Sequence, residues 1–199
     1  MKQSDLRAIL RMSAGSDRLL QTGAFGQGLW PVEDEVGQFL AHVIRFFDLK
    51  SGIEVGSGVG YSTLWLGMAF RENAGHLISF EYFLPKVRQW ELHMDRIFGP
   101  DYSDVVNIVP SDVLRWIPRQ RRSSLDFVFF DQRKGDYLSH LQQLLPLLKK
   151  GAFICADNVD SHPDETANYR SFLQKDRRFE TCTFHLGAGL EVSRFTSGN

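Results

Sequence analysis

The feature of this sequence that most constrains its fold is the alternation of short apolar runs with longer segments in which apolar residues recur every three or four positions. The runs at 125–130 and 151–156 suit strands that are buried on both faces of a parallel sheet. The predicted strands span residues 52–55, 77–80, 105–109, 125–130, 151–156, 179–185 and 190–195. This order predicts an α/β fold with a mostly parallel seven-stranded sheet, helices on both faces and an antiparallel C-terminal edge.

Helices are predicted in the segments between these strands. The first begins near Pro31, because proline suits the first helical turn. The leucine-rich segment 137–148 is predicted as one helix that is closed by Gly151, a residue favoured just beyond helix C-termini. A further helix is expected over residues 163–175.

The length of 199 residues fits one domain with a short N-terminal appendage. Residues 1–30 lack the regular pattern, although Leu6, Ile9 and Leu10 indicate a short helix there. We therefore place the main domain at residues 31–199.

The composition argues against several classes of partner. The formal net charge is -1, so no global field draws the chain to nucleic acid or to an anionic membrane. No apolar stretch approaches the roughly 20 residues that cross a bilayer. Cys155 and Cys182 fit neither a disulfide framework nor a zinc site. We expect a cytoplasmic protein that acts on a small molecule.

A glycine-rich segment follows the first predicted strand. Gly56, Gly58 and Gly60 occupy alternate positions after Glu54, and a helix is expected directly behind them. Glycine lets the backbone approach a ligand closely, and a helix N-terminus offers free N–H groups. A nicotinamide dinucleotide site needs a glycine at the sixth position, where this chain has Tyr61. The pattern favours an S-adenosylmethionine site, and a glycine turn without a ligand is the simplest alternative.

Acidic residues follow the second and third predicted strands. Glu81 comes directly after residues 77–80, where a carboxylate can accept hydrogen bonds from both ribose hydroxyls of an adenosine. Asp112 could accept a hydrogen bond from the adenine amino group, or Ser111 and Asp112 could simply cap the next helix. These positions are consistent with a nucleoside-containing cofactor.

Three oxygen-bearing side chains follow the fourth and fifth predicted strands. Asp131 ends one strand, and Asp157 and Asn158 end the other. If these strands are neighbours, their ends lie about 5 Å apart. Two carboxylates and an amide suit a hard cation such as Mg²⁺, or Mn²⁺. The alternative is that both aspartates are helix caps, but capping requires neither Asn158 nor the lysine at Lys134.

Together these motifs resemble the metal-dependent catechol O-methyltransferase family, a group of S-adenosylmethionine-dependent class I methyltransferases with a Rossmann-like fold. Residues 54–62 look like that family's cofactor loop, and residues 131–138 look like its metal-and-base segment. Residues 156–159 look like its second metal segment, and residues 189–191 like the segment that places a substrate-orienting glutamate. The resemblance covers about residues 30–195.

The resemblance implies a role for several individual residues. Ser62 would bind the cofactor carboxylate, and Val32 would pack beside the cofactor. Lys134 would be the general base, and Glu191 would orient a second acceptor hydroxyl. Asp131 would bind the metal, contact the cofactor and take part in catalysis. The implied reaction moves a methyl group from S-adenosylmethionine to a hydroxyl of a small catechol-like or vicinal-diol acceptor. A homodimer is a possible assembly.

The chain departs from the catechol enzymes beside the acceptor. Gln132 and Arg133 stand where those enzymes carry an imidazole and an indole, and Asp160 and His162 add polarity. Residues 187–189 read Gly-Ala-Gly, whereas the coenzyme-A-ester branch has Gly-Asp-Gly. A sugar or natural-product hydroxyl is therefore an alternative acceptor. A non-catalytic S-adenosylmethionine-binding protein is an alternative of a different class.

Overall fold

The structure, a computed structural model, describes residues 31–196, which form one seven-stranded sheet. The strands are β1 (Ser51–Val55), β2 (His76–Phe80), β3 (Val106–Val109), β4 (Leu125–Phe130), β5 (Leu148–Ala156), β6 (Phe179–Phe184) and β7 (Leu190–Phe195). Their order is β3-β2-β1-β4-β5-β7-β6. The first five strands run parallel, and β7 is antiparallel to both β5 and β6. The predicted fold class is confirmed.

Helices cover both faces of the sheet. They are α1 (Asp34–Phe46), α2 (Tyr61–Glu72), α3 (Leu84–Phe98), α4 (Val113–Trp116), α5 (Tyr137–Leu144) and α6 (Pro163–Lys175). Phe127 and Phe129 of β4 pack into the cluster that α1, α2 and α3 complete, whereas Val128 and Phe130 pack into the cluster with α5 and α6. Because successive strand residues point to opposite faces, β4 has to be apolar at nearly every position.

The predicted helix over residues 137–148 is wrong at its C-terminal end. Helix α5 ends at Leu144, a short 3-10 turn follows, and β5 already begins at Leu148. Pro146 explains the early end, since it has no N–H for the helical ladder and its ring clashes with the preceding turn. Gly151 is therefore not a helix cap but lies inside β5 with a φ of 87°, where the pairing with β4 shifts register.

The sheet topology places the candidate site at the carboxyl ends of the parallel strands. Strand β1 lies between β2 and β4, so the order of strands reverses beside β1, which is where α/β sheets open a crevice for ligands. The backbone N–H of Asp131 donates to Val55 O at 2.9 Å, and that of Asp157 donates to Phe130 O at 3.0 Å. These bonds continue the strand pairing to the carboxyl ends of the strands, so both aspartates lie beside the crevice.

The predicted appendage over residues 1–30, with its short helix, lies outside the described residues, and its boundary stays a prediction. Among residues 31–196, no helix combines the length and the apolar character that a membrane span requires.

Candidate active site

A cleft of about 770 Å³ opens at the carboxyl edge of the sheet. Its walls come from the loops that follow the first five strands and from the residues just before α1. The predicted site residues that line the cleft are Val32, Gly56, Gly58, Ser62, Glu81, Asp112, Asp131, Lys134 and Asn158. The structure thus brings the predicted nucleoside residues and two of the predicted metal residues, Asp131 and Asn158, into one cavity, whereas the buried Asp157 does not line it.

The glycine loop between β1 and α2 lies directly against the end of β4. Gly56, Gly58 and Gly60 have φ angles of 92°, 54° and 94°, in the left-handed region that glycine tolerates best. A Cβ atom at Gly56 would lie 2.6 Å from Asp131 O, and one at Gly60 would lie 2.8 Å from the Met94 side chain. Gly60 therefore packs against α3 and does not line the cleft, whereas a Cβ atom at Gly58 would meet open space.

Glu54 is fully buried beneath the glycine loop and does not line the cleft. Its carboxylate accepts hydrogen bonds from the hydroxyls of Ser62, Thr63 at 2.5 Å and Ser79 at 2.7 Å. Trp90 Nε1 donates in turn to the Thr63 hydroxyl at 3.0 Å. Burial raises the pKa of Glu54, and the hydroxyl donors oppose that shift. This arrangement holds the loop in place, so the predicted direct contact of Glu54 with a cofactor finds no support here.

The predicted nucleoside residues lie on one side of the loop. Glu81 lines the cleft, and its Oε1 accepts the backbone N–H of Phe83 at 2.9 Å. Asp112 also lines the cleft, and its Oδ1 caps α4 by accepting the N–H of Leu114 at 2.8 Å. The capping interpretation of Asp112 is thus correct without removing it from the cavity. Val32 is buried in the opposite wall, just before α1.

Asp131 and Lys134 line the cleft, and the buried Asp157 lies near enough to Asp131 for their charges to interact. Lys134 Nζ lies 3.0 Å from Asp131 Oδ1, and these side chains are only 15% and 12% exposed. Burial raises the pKa of Asp131 to about 6, more than the neighbouring lysine lowers it. Burial, followed by the charge of Asp131, raises the pKa of Asp157 to about 7. Two carboxylates therefore share one lysine in a poorly solvated place.

The residues present fit a divalent cation. Oδ1 of Asp157 is buried without a hydrogen-bond partner, an arrangement that costs free energy unless another group satisfies it. Asn158 lines the cleft beside it and adopts a φ of 65°, which asparagine tolerates better than most residues. Within residues 31–196, no three His, Cys, Asp or Glu side chains form a metal-binding group, so the third protein oxygen would come from the Asn158 amide.

Glu191 does not reach the cleft. The side chain is 1% exposed, accepts the hydroxyls of Thr181 at 2.6 Å and Thr183 at 2.5 Å, and lies 3.7 Å from Arg170 Nε. Because Leu190 packs toward α1, its neighbour Glu191 must point to the other face, toward α6. The predicted role in orienting an acceptor hydroxyl finds no support in this geometry.

Several cleft residues were not among the predicted cofactor, metal and catalytic residues. Ser57 lines the cleft with a buried hydroxyl that lacks a partner, and Tyr82 is 71% exposed beside Glu81. Gln132 Nε2 and His140 Nδ1 lie 2.8 Å apart in the same wall. Ser57 and Tyr82 could have been found by their adjacency to predicted residues. His140 lies on α5, eight residues after Gln132, and carried no such signal.

Comparisons with known proteins agree with this geometry. The family described as "Methyltransferase domain" matches residues 53–159, which is more than half of the chain. The chain therefore belongs to this methyltransferase family. The matched segment runs from the end of β1 to just beyond Asn158, so it contains the glycine loop and both predicted metal segments.

Individual relatives extend the similarity beyond that segment. A catechol O-methyltransferase from Niastella koreensis is 29% identical over 81% of this chain and 72% of its own length. A caffeoyl-CoA O-methyltransferase from Eucalyptus globulus is 27% identical over 79% of this chain and 72% of its own length. The predicted resemblance to the catechol O-methyltransferase family and the prediction of a methyltransferase are confirmed.

A solved structure supports the fold independently. The O-methyltransferase from Bacillus cereus, determined in complex with SAH, superposes with a TM-score of 0.79 at 18% identity. The alignment covers 98% of this chain and 92% of that one. At this level of identity the match shows that the fold is shared.

The raised pKa values predict how stability depends on pH. A carboxyl whose folded pKa lies above its unfolded value loses stability as pH rises, here between about pH 4 and pH 7. In chelator, we expect the midpoint of thermal unfolding to fall across this range, and to fall less in Asp157→Asn. The control Asp136→Asn removes a more exposed carboxylate of the same cleft and should leave the slope unchanged. Equal slopes for parent and Asp157→Asn would show that Asp157 is not a strained buried acid.

Proposed function

We propose that this chain is an S-adenosylmethionine-dependent O-methyltransferase that requires a divalent metal and acts on a small acceptor with adjacent hydroxyls. The observation that carries the proposal is the arrangement of one cleft, with a glycine loop and Glu81 on one side and Asp131, Lys134 and Asn158 on the other, and with the buried Asp157 next to Asn158 in the chain. Membership of the methyltransferase family and similarity to catechol and caffeoyl-CoA O-methyltransferases support it.

The glycine loop and its flanking residues would bind the methyl donor. The backbone at Gly56 and Gly58 allows close approach, and the start of α2 presents free N–H groups to a carboxylate. Glu81 would accept hydrogen bonds from the ribose hydroxyls, and Asp112 would lie at the adenine end of the cleft. Glu54 keeps this loop in shape from below.

Asp131, Asp157 and Asn158 would hold the metal, Mg²⁺ or Mn²⁺, because two carboxylates and an amide suit a hard cation. Bound there, the cation would lower the pKa of an acceptor hydroxyl and so favour its ionised form. The positive charge would also relieve the repulsion between the two buried aspartates.

Lys134, in its neutral amine form, would take the proton from the acceptor and become an ammonium. Its Nζ lies 3.0 Å from Asp131 Oδ1 and the side chain lines the cleft, so one side chain connects the metal residues with the acceptor space. The acceptor oxygen would then attack the methyl carbon of the donor, and the electron pair of the broken carbon–sulfur bond would stay on sulfur. Opposite charges would be neutralised in this step, so the poorly solvated cleft would favour it.

The cleft wall nearest the metal residues is polar, which favours a substituted acceptor. Arg133, His162 and Glu165 line it, and the Arg133 guanidinium is held by two hydrogen bonds to Asp136, at 3.0 and 3.1 Å. These groups keep a sugar or natural-product hydroxyl as the second candidate acceptor. A protein that only bound the cofactor would have no use for Lys134 beside the buried aspartates. A cytoplasmic location and a homodimer stay predictions.

Chelation tests the proposal directly. Product formation should be followed with ¹³C-methyl-labelled S-adenosylmethionine over a panel of catechols, flavonoids and non-aromatic diols. We expect methylation to stop in EDTA and to return with Mg²⁺, and we expect Asp157→Ala to be inactive with Mg²⁺ present. Full activity in excess chelator would remove the metal from the proposal, and a panel without any methylated product would remove the acceptor class.

Glu81 should govern the affinity for the methyl donor. Glu81→Ala removes a charged hydrogen-bond acceptor worth about 1.5–3 kcal/mol, so the Kd for S-adenosylmethionine should rise about 10- to 100-fold. Isothermal titration calorimetry measures this, with Glu91→Ala on the exposed surface of α3 as the control. If Glu81→Ala bound S-adenosylmethionine as tightly as Glu91→Ala, the ribose assignment would be wrong.

Lys134 should be needed for turnover but not for binding of the donor. Lys134→Ala should lower kcat by roughly 10²–10⁴-fold, the usual contribution of a general base, with the Kd for S-adenosylmethionine unchanged. Lys86→Ala, which removes another lysine of the cleft, should retain most of its activity. Near-parental turnover of Lys134→Ala across the pH range would leave Lys134 as a structural partner of Asp131.

A further inference from the structure

The turn between β6 and β7, residues 185–189, packs directly against the second metal segment. It follows Phe184 and ends at Gly189, just before β7 begins. His185 Nδ1 lies 2.6 Å from Asp160 Oδ2, so the two segments also contact each other through side chains. The turn itself does not line the cleft.

Backbone hydrogen bonds fix the chain immediately after Asn158 to this turn. The N–H of Val159 donates to Gly189 O at 3.0 Å. The N–H groups of Asp160 and Ser161 both donate to Ala188 O, at 3.0 and 3.1 Å. Three consecutive N–H groups are therefore held by two carbonyls of the turn.

The chain immediately before Asn158 is fixed from the other side. The backbone of Asp157 donates to Phe130 O and accepts the hydroxyl of Tyr137, both at 3.0 Å. Asn158 lies between these two anchors with its left-handed φ of 65°. A non-glycine residue seldom adopts this conformation unless its surroundings impose it.

Gly189 brings the turn unusually close to the metal segment. Its φ is 92°, and a Cβ atom there would lie 2.5 Å from the backbone nitrogen of Asp160. Backbone atoms cannot swing away as a flexible side chain can, so any larger residue must push the turn and the segment apart. The short contact is what allows the carbonyls of the turn to reach residues 159–161.

We infer that the turn at residues 185–189 is a positioning element for the metal site, and that Gly189 acts through Asn158. The turn holds Asn158 in the left-handed conformation that presents its amide to the cleft beside Asp131 and Asp157. This inference rests on the proposed metal site. Residues outside the cleft would thus determine the affinity for the metal without contacting the metal or the substrate.

Glycine substitutions with matched backbone strain test the inference. Gly189→Ala should weaken Mn²⁺ binding by about 10- to 100-fold, the usual effect of losing support around a metal ligand, with S-adenosylmethionine affinity unchanged. Gly151→Ala is the control, since its φ of 87° gives a similar penalty for alanine but its Cβ atom would meet nothing closer than 3.9 Å. Electron paramagnetic resonance of free Mn²⁺ measures the affinity of each variant for Mn²⁺. Calorimetry measures the affinity of each variant for S-adenosylmethionine.

The outcomes separate this inference from the proposed function. If the parent binds Mn²⁺ and Gly189→Ala binds it as tightly as Gly151→Ala, the turn does not position the site. If the parent binds no Mn²⁺, the metal proposal fails and the inference fails with it. A loss of Mn²⁺ affinity confined to Gly189→Ala supports both.

A milder pair of variants covers the case in which Gly189→Ala does not fold. Glu35 Oε1 accepts the N–H of Gly187 at 2.8 Å and so anchors the turn to α1 from the exposed side. Glu35→Ala loosens the turn and removes a charge, whereas Glu35→Gln removes the charge but keeps an acceptor. Weaker Mn²⁺ binding in Glu35→Ala than in Glu35→Gln supports positioning, and equal binding in the two contradicts it.

Discussion

Two carboxylates that are buried side by side, Asp131 and Asp157, are the constraint on which the rest of the structure depends. Folding takes both out of water next to a single lysine, and this raises the pKa of each. Such an arrangement is unfavourable by itself, because one cation cannot compensate two buried charges. The proposed metal would make the arrangement favourable by placing a second positive charge beside the two carboxylates. The glycine loop, the strand order and the turn before β7 each help to position these two carboxylates.

Glu54 is by contrast a buried carboxylate whose hydrogen-bond partners all come from the protein. It lies on β1, is fully buried, and three hydroxyls donate to it. Asp157 keeps one oxygen that no group in residues 31–196 satisfies. The first arrangement is complete and holds the glycine loop, whereas the second leaves one carboxylate oxygen without a hydrogen-bond partner. Both sides of the cleft therefore contain a buried acidic residue, but Glu54 stabilises the glycine loop, whereas Asp157 retains an oxygen that could bind a ligand.

The sequence predicted the elements that depend on local pattern. The apolar runs gave all seven strands within a few residues, and residues that directly follow a strand, such as Asp131 and Asn158, were placed correctly at the cleft. The missed helix end at Leu144 was also local, because Pro146 was in plain view. What could not be read from the sequence was the direction of side chains. Glu191 follows the family pattern, but two threonines and Arg170 of neighbouring elements hold its carboxylate.

Contacts that depend on packing were equally beyond the sequence. The pairing of Gln132 with His140, eight residues further on, and the approach of Gly189 to Asp160 follow from how helices and turns pack on the finished sheet. In the sequence, Gly187 and Gly189 were considered only because the residue between them is not the aspartate of the coenzyme-A-ester branch. In the structure, glycine is required at both positions by positive φ angles and by close approach to neighbouring segments.

The most direct test of this account is to locate Mn²⁺ by anomalous diffraction in crystals grown with S-adenosylhomocysteine. The account predicts one strong peak in the cleft, with oxygens of Asp131, Asp157 and Asn158 at about 2.1 Å, close to the distance for Mg²⁺. Lys134 should then lie beside the metal ligands rather than replace them. Full occupancy of the cofactor with no peak at these residues, and Lys134 still the only cation between the two aspartates, would contradict the account.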